Sequence, residues 1–328
     1  LKRFLKSEAG AAVLWVLTAL LVAAIAAPWA YHWGNRLARV AASQEMSAFS
    51  EWLGRACGRS KFERYFSRCF SISAVLMLPI LLMRIRSLRA SSGVPVAPRV
   101  RVPWKSAVLQ VAVGCLIAGG LLLATGMILN LSGAYTLEPH PPKFGALLQR
   151  SFIPAIGASV LEEWVFRGLI LGLWLRFTRP LAACVGTSVF FAFLHFLAPK
   201  QGSFIGRPRS PAAGFELLEK ILAQFANPQF FMTEFVTLFC IGMILAWARL
   251  RTGALWFSIG LHAGWIAAFK GFSMLHLTNP ASGLYPWGVG DSLKSGLVPL
   301  LALAVTAGIC HFVLKRFEPS RGLNPASR

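Results

Sequence analysis

Acid is scarce in this sequence, and so is charge of any kind. Twelve Asp and Glu residues stand against 33 Lys and Arg, and charged residues make up 14% of the 328 positions. A soluble domain carries about 25%, so the shortage speaks against an ordinary soluble protein. Cysteine is sparse as well. The six residues Cys57, Cys69, Cys115, Cys184, Cys240 and Cys310 form no CxxC pair. Their spacing offers neither a zinc ribbon nor a disulfide framework. There is no HExxH, the helical zinc-protease signature, and no repeat of the kind that marks solenoids. The net charge of +21 comes without any RNA- or DNA-binding motif, and nucleic acid is not an expected partner.

Apolar sequence fills the space. Hydrophobic residues are 56% of the chain, and mean hydropathy is +0.60. Residues 9–31 and 106–132 contain no charge at all. Crossing a bilayer as a helix takes roughly 20 residues. Spanning backbone must satisfy its own hydrogen bonds, as a helix or a closed barrel. The runs are continuous rather than alternating, which favours helices. The reading is all-α: a polytopic membrane protein with about eight embedded helices in a lipid bilayer. The segments fall near 9–31, 66–83, 106–132, 150–177, 181–198, 230–248, 253–270 and 296–314. The second is short, with only 69–83 free of charge between Arg68 and Arg84. The first follows Lys2, Arg3 and Lys6 like a signal peptide, but its length favours an uncleaved span.

The basic residues lie mainly between apolar runs, where an anionic inner leaflet attracts them. The stretch 84–105 carries Arg84, Arg86, Arg89, Arg99, Arg101 and Lys105 and no acid. By the positive-inside rule it is cytoplasmic. The N-terminus and the tail, with Lys315, Arg316, Arg321 and Arg328, fall on the same side, which suits a multi-pass protein of the cell (inner) membrane. Residues 32–68 disagree with this count, because span order places a basic segment outside. Their pattern (Phe49, Trp52, Leu53, then Phe62, Tyr65, Phe66) suits an amphipathic interfacial helix. Residues 199–229 form a polar loop with helical periodicity over about 212–226. Glu234 reads as a helix-end carboxylate.

The exception to the apolar pattern is "LEEWVFRG", residues 161–168. An ionisable residue at the bilayer centre costs about 2.5–3.5 kcal/mol on insertion scales. Three within six positions imply mutual partners, a water-filled cavity, or both. Glu163 and Arg167 are four apart, with the acid nearer the N-terminus, the favourable order for a helical ion pair. Glu162 is rotated from Glu163 by about 100° and points elsewhere. Two histidines accompany them. His195 ends "VFFAFLH", with Phe191 one turn earlier on the same face, and His262 sits in "FSIGLHAGWIAAF". A carboxylate and imidazoles can share a proton or bind a metal. Either arrangement activates water. The same three charges could instead only lock a helix to its neighbour.

In order, Glu-Glu-x-x-x-Arg (162–167), Phe-x-x-x-His (191–195) and Gly-Leu-His-Ala-Gly-Trp (260–265) resemble the CPBP family. These are the CaaX proteases and bacteriocin-processing proteins, also known as Abi or CAAX prenyl protease 2-like proteins. The resemblance covers roughly 150–270 and divides the chain into three. Residues 1–145 are an N-terminal transmembrane region with a basic cytoplasmic loop, 146–275 a CPBP-like catalytic core, and 276–328 a last helix and basic tail. It implies an intramembrane endopeptidase with a polar cavity. Its substrate would be a membrane-associated protein or peptide. Glu162 would be the water-activating base, assisted by His195. His262 would stabilise the oxyanion, and Glu163, Arg167 and Phe191 would support the site. The family has been described both as metal-dependent and as glutamate-dependent. If a metal such as Zn2+ is used, Glu162, His195 and His262 would be its ligands. One position departs from the pattern. The third motif usually has Asn four residues after the histidine, and here that position is Ile266. Two other readings stand beside the protease. One is a weak or inactive membrane immunity or scaffold protein of the same fold. The other is a transporter using Glu162 and Glu163 as a cation or proton site.

Overall fold

The computed structural model describes residues 8–43, 47–92, 102–176, 178–196, 205–228 and 231–317. Lys2, Arg3, Lys6, Arg99, Arg101, Arg321 and Arg328, read above as cytoplasmic, lie outside these residues. The chain is a polytopic all-α membrane protein. The described helices are α1 (Glu8–Ser43), α2 (Ala48–Gly58), α3 (Phe62–Ser92), α4 (Trp104–Leu131), α5 (Phe144–Glu163), α6 (Pro180–His195), α7 (Ala213–Ala223), α8 (Val236–Thr252), α9 (Trp256–Leu275) and α10 (Leu297–Leu314). Strands β1 (Tyr135–Leu137) and β2 (His276–Thr278) form a small antiparallel sheet. Among the described residues, six helices, some counted with the stretches that continue them, are long and apolar enough to cross a membrane. Each of the eight segments expected from hydropathy overlaps a described helix. The expected lengths differ. The first helix runs 36 residues, about 54 Å at 1.5 Å per residue. The second span, read as short, lies within the 31 residues of α3. A helix does not stop where the apolar run stops; charged residues such as Arg68 and Arg84 continue it.

The helices group into two compact units. One comprises residues 1–95 and 194–227, the other 96–193 and 228–328. In the first, α2 and α3 both pack on α1. Gly54 of α2 lies against Ala41, and a Cβ there would meet that methyl at 2.6 Å. Tyr31 of α1 meets the rings of Phe62 and Tyr65 edge-on at 5.6 and 5.3 Å. The aromatic pattern over 49–66 is thus divided between two helices. Phe49 and Trp52 are exposed on α2, whereas Phe62, Tyr65 and Phe66 are buried at the start of α3. The periodicity over 212–226 appears as α7, followed by a 3-10 turn at Gln224–Ala226. Gly214 of α7 sits directly on the backbone of Ala24.

The second unit is built around α9, which packs against α4, α5 and α8. Twelve of its 20 residues are buried, yet it is not among the six helices apolar enough to span alone. Small residues explain the close approach to α4. Gly260 and Gly264 are one turn apart. Each faces the α4 backbone, Gly260 at the Val111 carbonyl and Gly264 at that of Cys115, and Gly114 faces Phe257 and Leu261 in return. Within a membrane, helices associate through such packing rather than through exclusion of water. Around this seam lies a core of Ala118, Leu245, Phe257, Leu261, Leu303 and Cys310. An apolar cavity of about 630 Å³ opens between α4, α5 and α9, lined by Val111, Phe152, Ala155, Trp256 and Ala263 among others.

Adding one methyl at this seam forces two backbones apart. Gly260→Ala should lower stability by about 1–3 kcal/mol, the usual cost of overpacking. Gly120 has open space around its Cβ position. Gly120→Ala should leave the thermal midpoint of the purified, detergent-solubilised chain nearly unchanged.

Candidate active site

The two adjacent glutamates close α5, and the helix changes character after them. Residues Trp164–Ile170 are π-helical, and Leu171–Trp174 add one α turn. Such π stretches are rare and recur at functional sites. Glu163 and Arg167 have side chains with 0% exposure, and Nη1 of Arg167 donates to Oε1 of Glu163 at 2.8 Å. The expected ion pair is therefore present and enclosed by protein. Taking both charges out of water costs several kcal/mol per ion, so the remaining guanidinium contacts matter. Nη2 donates to the carbonyl of Gly242 on α8 at 3.3 Å. The plane lies over the ring of Phe191 on α6, 4.4 Å from its centroid. Arginine suits this position because its planar fork serves two acceptors and stacks at once.

His262 joins the pair from α9. Its Nδ1 is 2.9 Å from the same Oε1 of Glu163. Its Nε2 is 3.7 Å from Oε2 of Glu162. That separation is beyond a hydrogen bond but close enough for charge to be felt. The side chain of Glu162 keeps 29% exposure, against 6% for His262. The edge of Phe191 meets the His262 ring at 5.8 Å, and Phe166 packs on Phe191 at 5.0 Å. Glu162, Glu163, Arg167, Phe191 and His262 are thus brought together from α5, α6 and α9. His195 is half-buried at the last position of α6 and groups with the other unit.

Sequence reasoning missed three features. The bond between Glu163 and His262 joins residues 99 positions apart, and no local pattern signals it. Gly242 contributes a main-chain oxygen, which leaves no mark in side-chain chemistry. Its own lack of a side chain is needed, because a Cβ would press on Ser188 at 2.9 Å. Phe166 is an ordinary apolar residue by pattern. Ile266, one turn beyond His262, is half-buried and brings no donor. Asn279, the first asparagine in sequence after His262, donates to Gly133 and accepts from Ala281. Glu234 lies in a second π stretch, Phe231–Phe235, that leads into α8. Among the described residues, no three His, Cys, Asp or Glu side chains are grouped so as to hold a metal ion.

The ion pair should be far more sensitive to losing one partner than both. Arg167→Met leaves a buried carboxylate without its counter-charge and should cost about 3–5 kcal/mol. Combining it with Glu163→Gln should recover much of that loss. Thermal unfolding of the single and double variants, read as a mutant cycle, checks this.

No curated protein and no solved structure matches the chain. A family comparison does find a match. It begins at the start of α5, ends within α9, and so contains both glutamates, Arg167, Phe191, both histidines and Ile266. Over residues 145–268 the chain is similar to the family described as type II CAAX prenyl endopeptidase Rce1-like.

Proposed function

We propose that this protein is an intramembrane endopeptidase that hydrolyses a peptide bond of a membrane-associated protein or peptide. The observation that carries the reading is the convergence of Glu162 and His262 beside a buried ion pair, inside otherwise apolar helices. Glu162, half-exposed, takes a proton from water. The resulting hydroxide adds to the peptide carbonyl. His262 faces the same space and donates to the oxyanion. The proton ends on the leaving nitrogen, and the C–N bond breaks. His195 keeps the assisting role implied by its place in the family motif. Water activation here uses the chain's own acid and imidazoles. If zinc is bound, Glu162, His195 and His262 remain the residues to supply it. The termini are assigned to the cytoplasmic side of the cell (inner) membrane from the Lys and Arg counts.

A second reading has its own observation. Ile266 stands where the family usually has Asn, and losing an oxyanion donor costs about 10²–10³ in rate. A weak or inactive immunity or scaffold protein of the same fold would tolerate that loss.

Cleavage of membrane-anchored quenched-fluorescence peptides by the purified chain in proteoliposomes separates the two. Glu162→Ala should abolish turnover. His262→Ala should lower kcat by about 10²–10³. Ile266→Asn should raise it. A strong zinc chelator should leave the rate unchanged. Turnover untouched by Glu162→Ala would sink the protease reading.

A further inference from the structure

The family motif implies support from Glu163 without saying how it acts. We propose that Glu163 is a positioning residue that holds His262 in the Nδ1–H tautomer and so presents Nε2 to Glu162 and the reacting groups. This rests on the endopeptidase reading above.

The argument starts from what each atom can do. An ionised carboxylate only accepts hydrogen bonds. Oε1 of Glu163 already accepts from Nη1 of Arg167 at 2.8 Å, so this oxygen faces its neighbours as an acceptor. The ring nitrogen 2.9 Å from that carboxylate must then carry its proton, which fixes the tautomer. In the neutral ring the other nitrogen, Nε2, is left with its lone pair on the side of Glu162, 3.7 Å away. The ring has little freedom to turn. Phe191 meets it edge-on at 5.8 Å, and α9 is seated on α4 through Gly260 and Gly264. The arrangement repeats the logic of a base oriented by a buried carboxylate.

The proton then has a defined route. Glu162 removes it from water and passes it to Nε2 of His262. The protonated ring donates Nε2–H to the oxyanion, and the proton moves on to the leaving nitrogen as the C–N bond breaks. Ile266 gives this route added weight. With no amide one turn beyond His262, no donor from that position shares the work, and a misoriented ring would be costly.

Two double variants separate positioning from architecture, since both remove the buried charges together. Glu163→Gln/Arg167→Met keeps a carbonyl oxygen for Nδ1–H. Glu163→Leu/Arg167→Met keeps the bulk and removes the acceptor. The first readout needs no substrate. The full chain, labelled with ¹⁵N-histidine in detergent micelles, is compared with His262→Ala to assign the ring. The Nδ1–H tautomer should dominate in the wild type and in the Gln/Met variant, and be lost in the Leu/Met variant. In the peptide assay, kcat should fall by on the order of tenfold in the first, where a charge-assisted bond becomes neutral. It should fall about 10²–10³-fold in the second, with KM unchanged in both. An Nε2–H ring in the wild type would overturn the proposal. Equal kcat in two folded double variants would do the same and leave a purely structural pair. Failure of the protease reading looks different, because Glu162→Ala would then spare cleavage while the tautomer stayed as assigned.

Discussion

A guanidinium and a carboxylate buried together inside apolar helices set the terms for everything around them. Neither the Arg167 nor the Glu163 side chain has any exposure, so each must find partners within the protein. The requirement is met by contacts from three other helices: a main-chain oxygen from α8, an aromatic face from α6 and an imidazole nitrogen from α9. These groups come from distant parts of the chain, and the pair acts as their common point of attachment. A buried ion pair is weak evidence for stability in itself. Its effect here is on arrangement, because the two charges draw their partners from four helical segments at once.

That arrangement gives two neighbouring carboxylates different surroundings. Successive helical residues diverge by about 100°. Glu163 turns inward and is fully enclosed, while Glu162 keeps a share of its surface open. Enzymes that need one fixed acid and one reactive acid often separate them by environment. Here the separation needs no second element; it follows from adjacency on one helix. The change to π-helical winding immediately afterwards sets how the following turn, with Arg167, comes back toward the acids.

Much of this was legible in the residues. Uncharged runs gave the spans, because lipid admits little else of that length. The four-residue spacing of Glu163 and Arg167 gave the ion pair, because helix geometry alone brings those positions together. What stayed hidden depends on tertiary register. The partnership of Glu163 with His262 needs α5 and α9 side by side, which neither segment states. The carbonyl of Gly242 is invisible for the same reason. Helix ends were misjudged where charged residues continue a helix beyond its apolar stretch, as in α1 and α3. Motif order alone grouped His195 with the others.

The most enclosed helix of its unit is not one of the most hydrophobic. With His262, Lys270 and its several glycines and serines, α9 falls short of what a lone segment needs to partition into lipid. Its apolar neighbours α4, α5 and α8, the last two counted with their π-helical continuations, meet that standard. Cover from those neighbours, rather than apolar character of its own, is what keeps the histidine-bearing helix within the bundle.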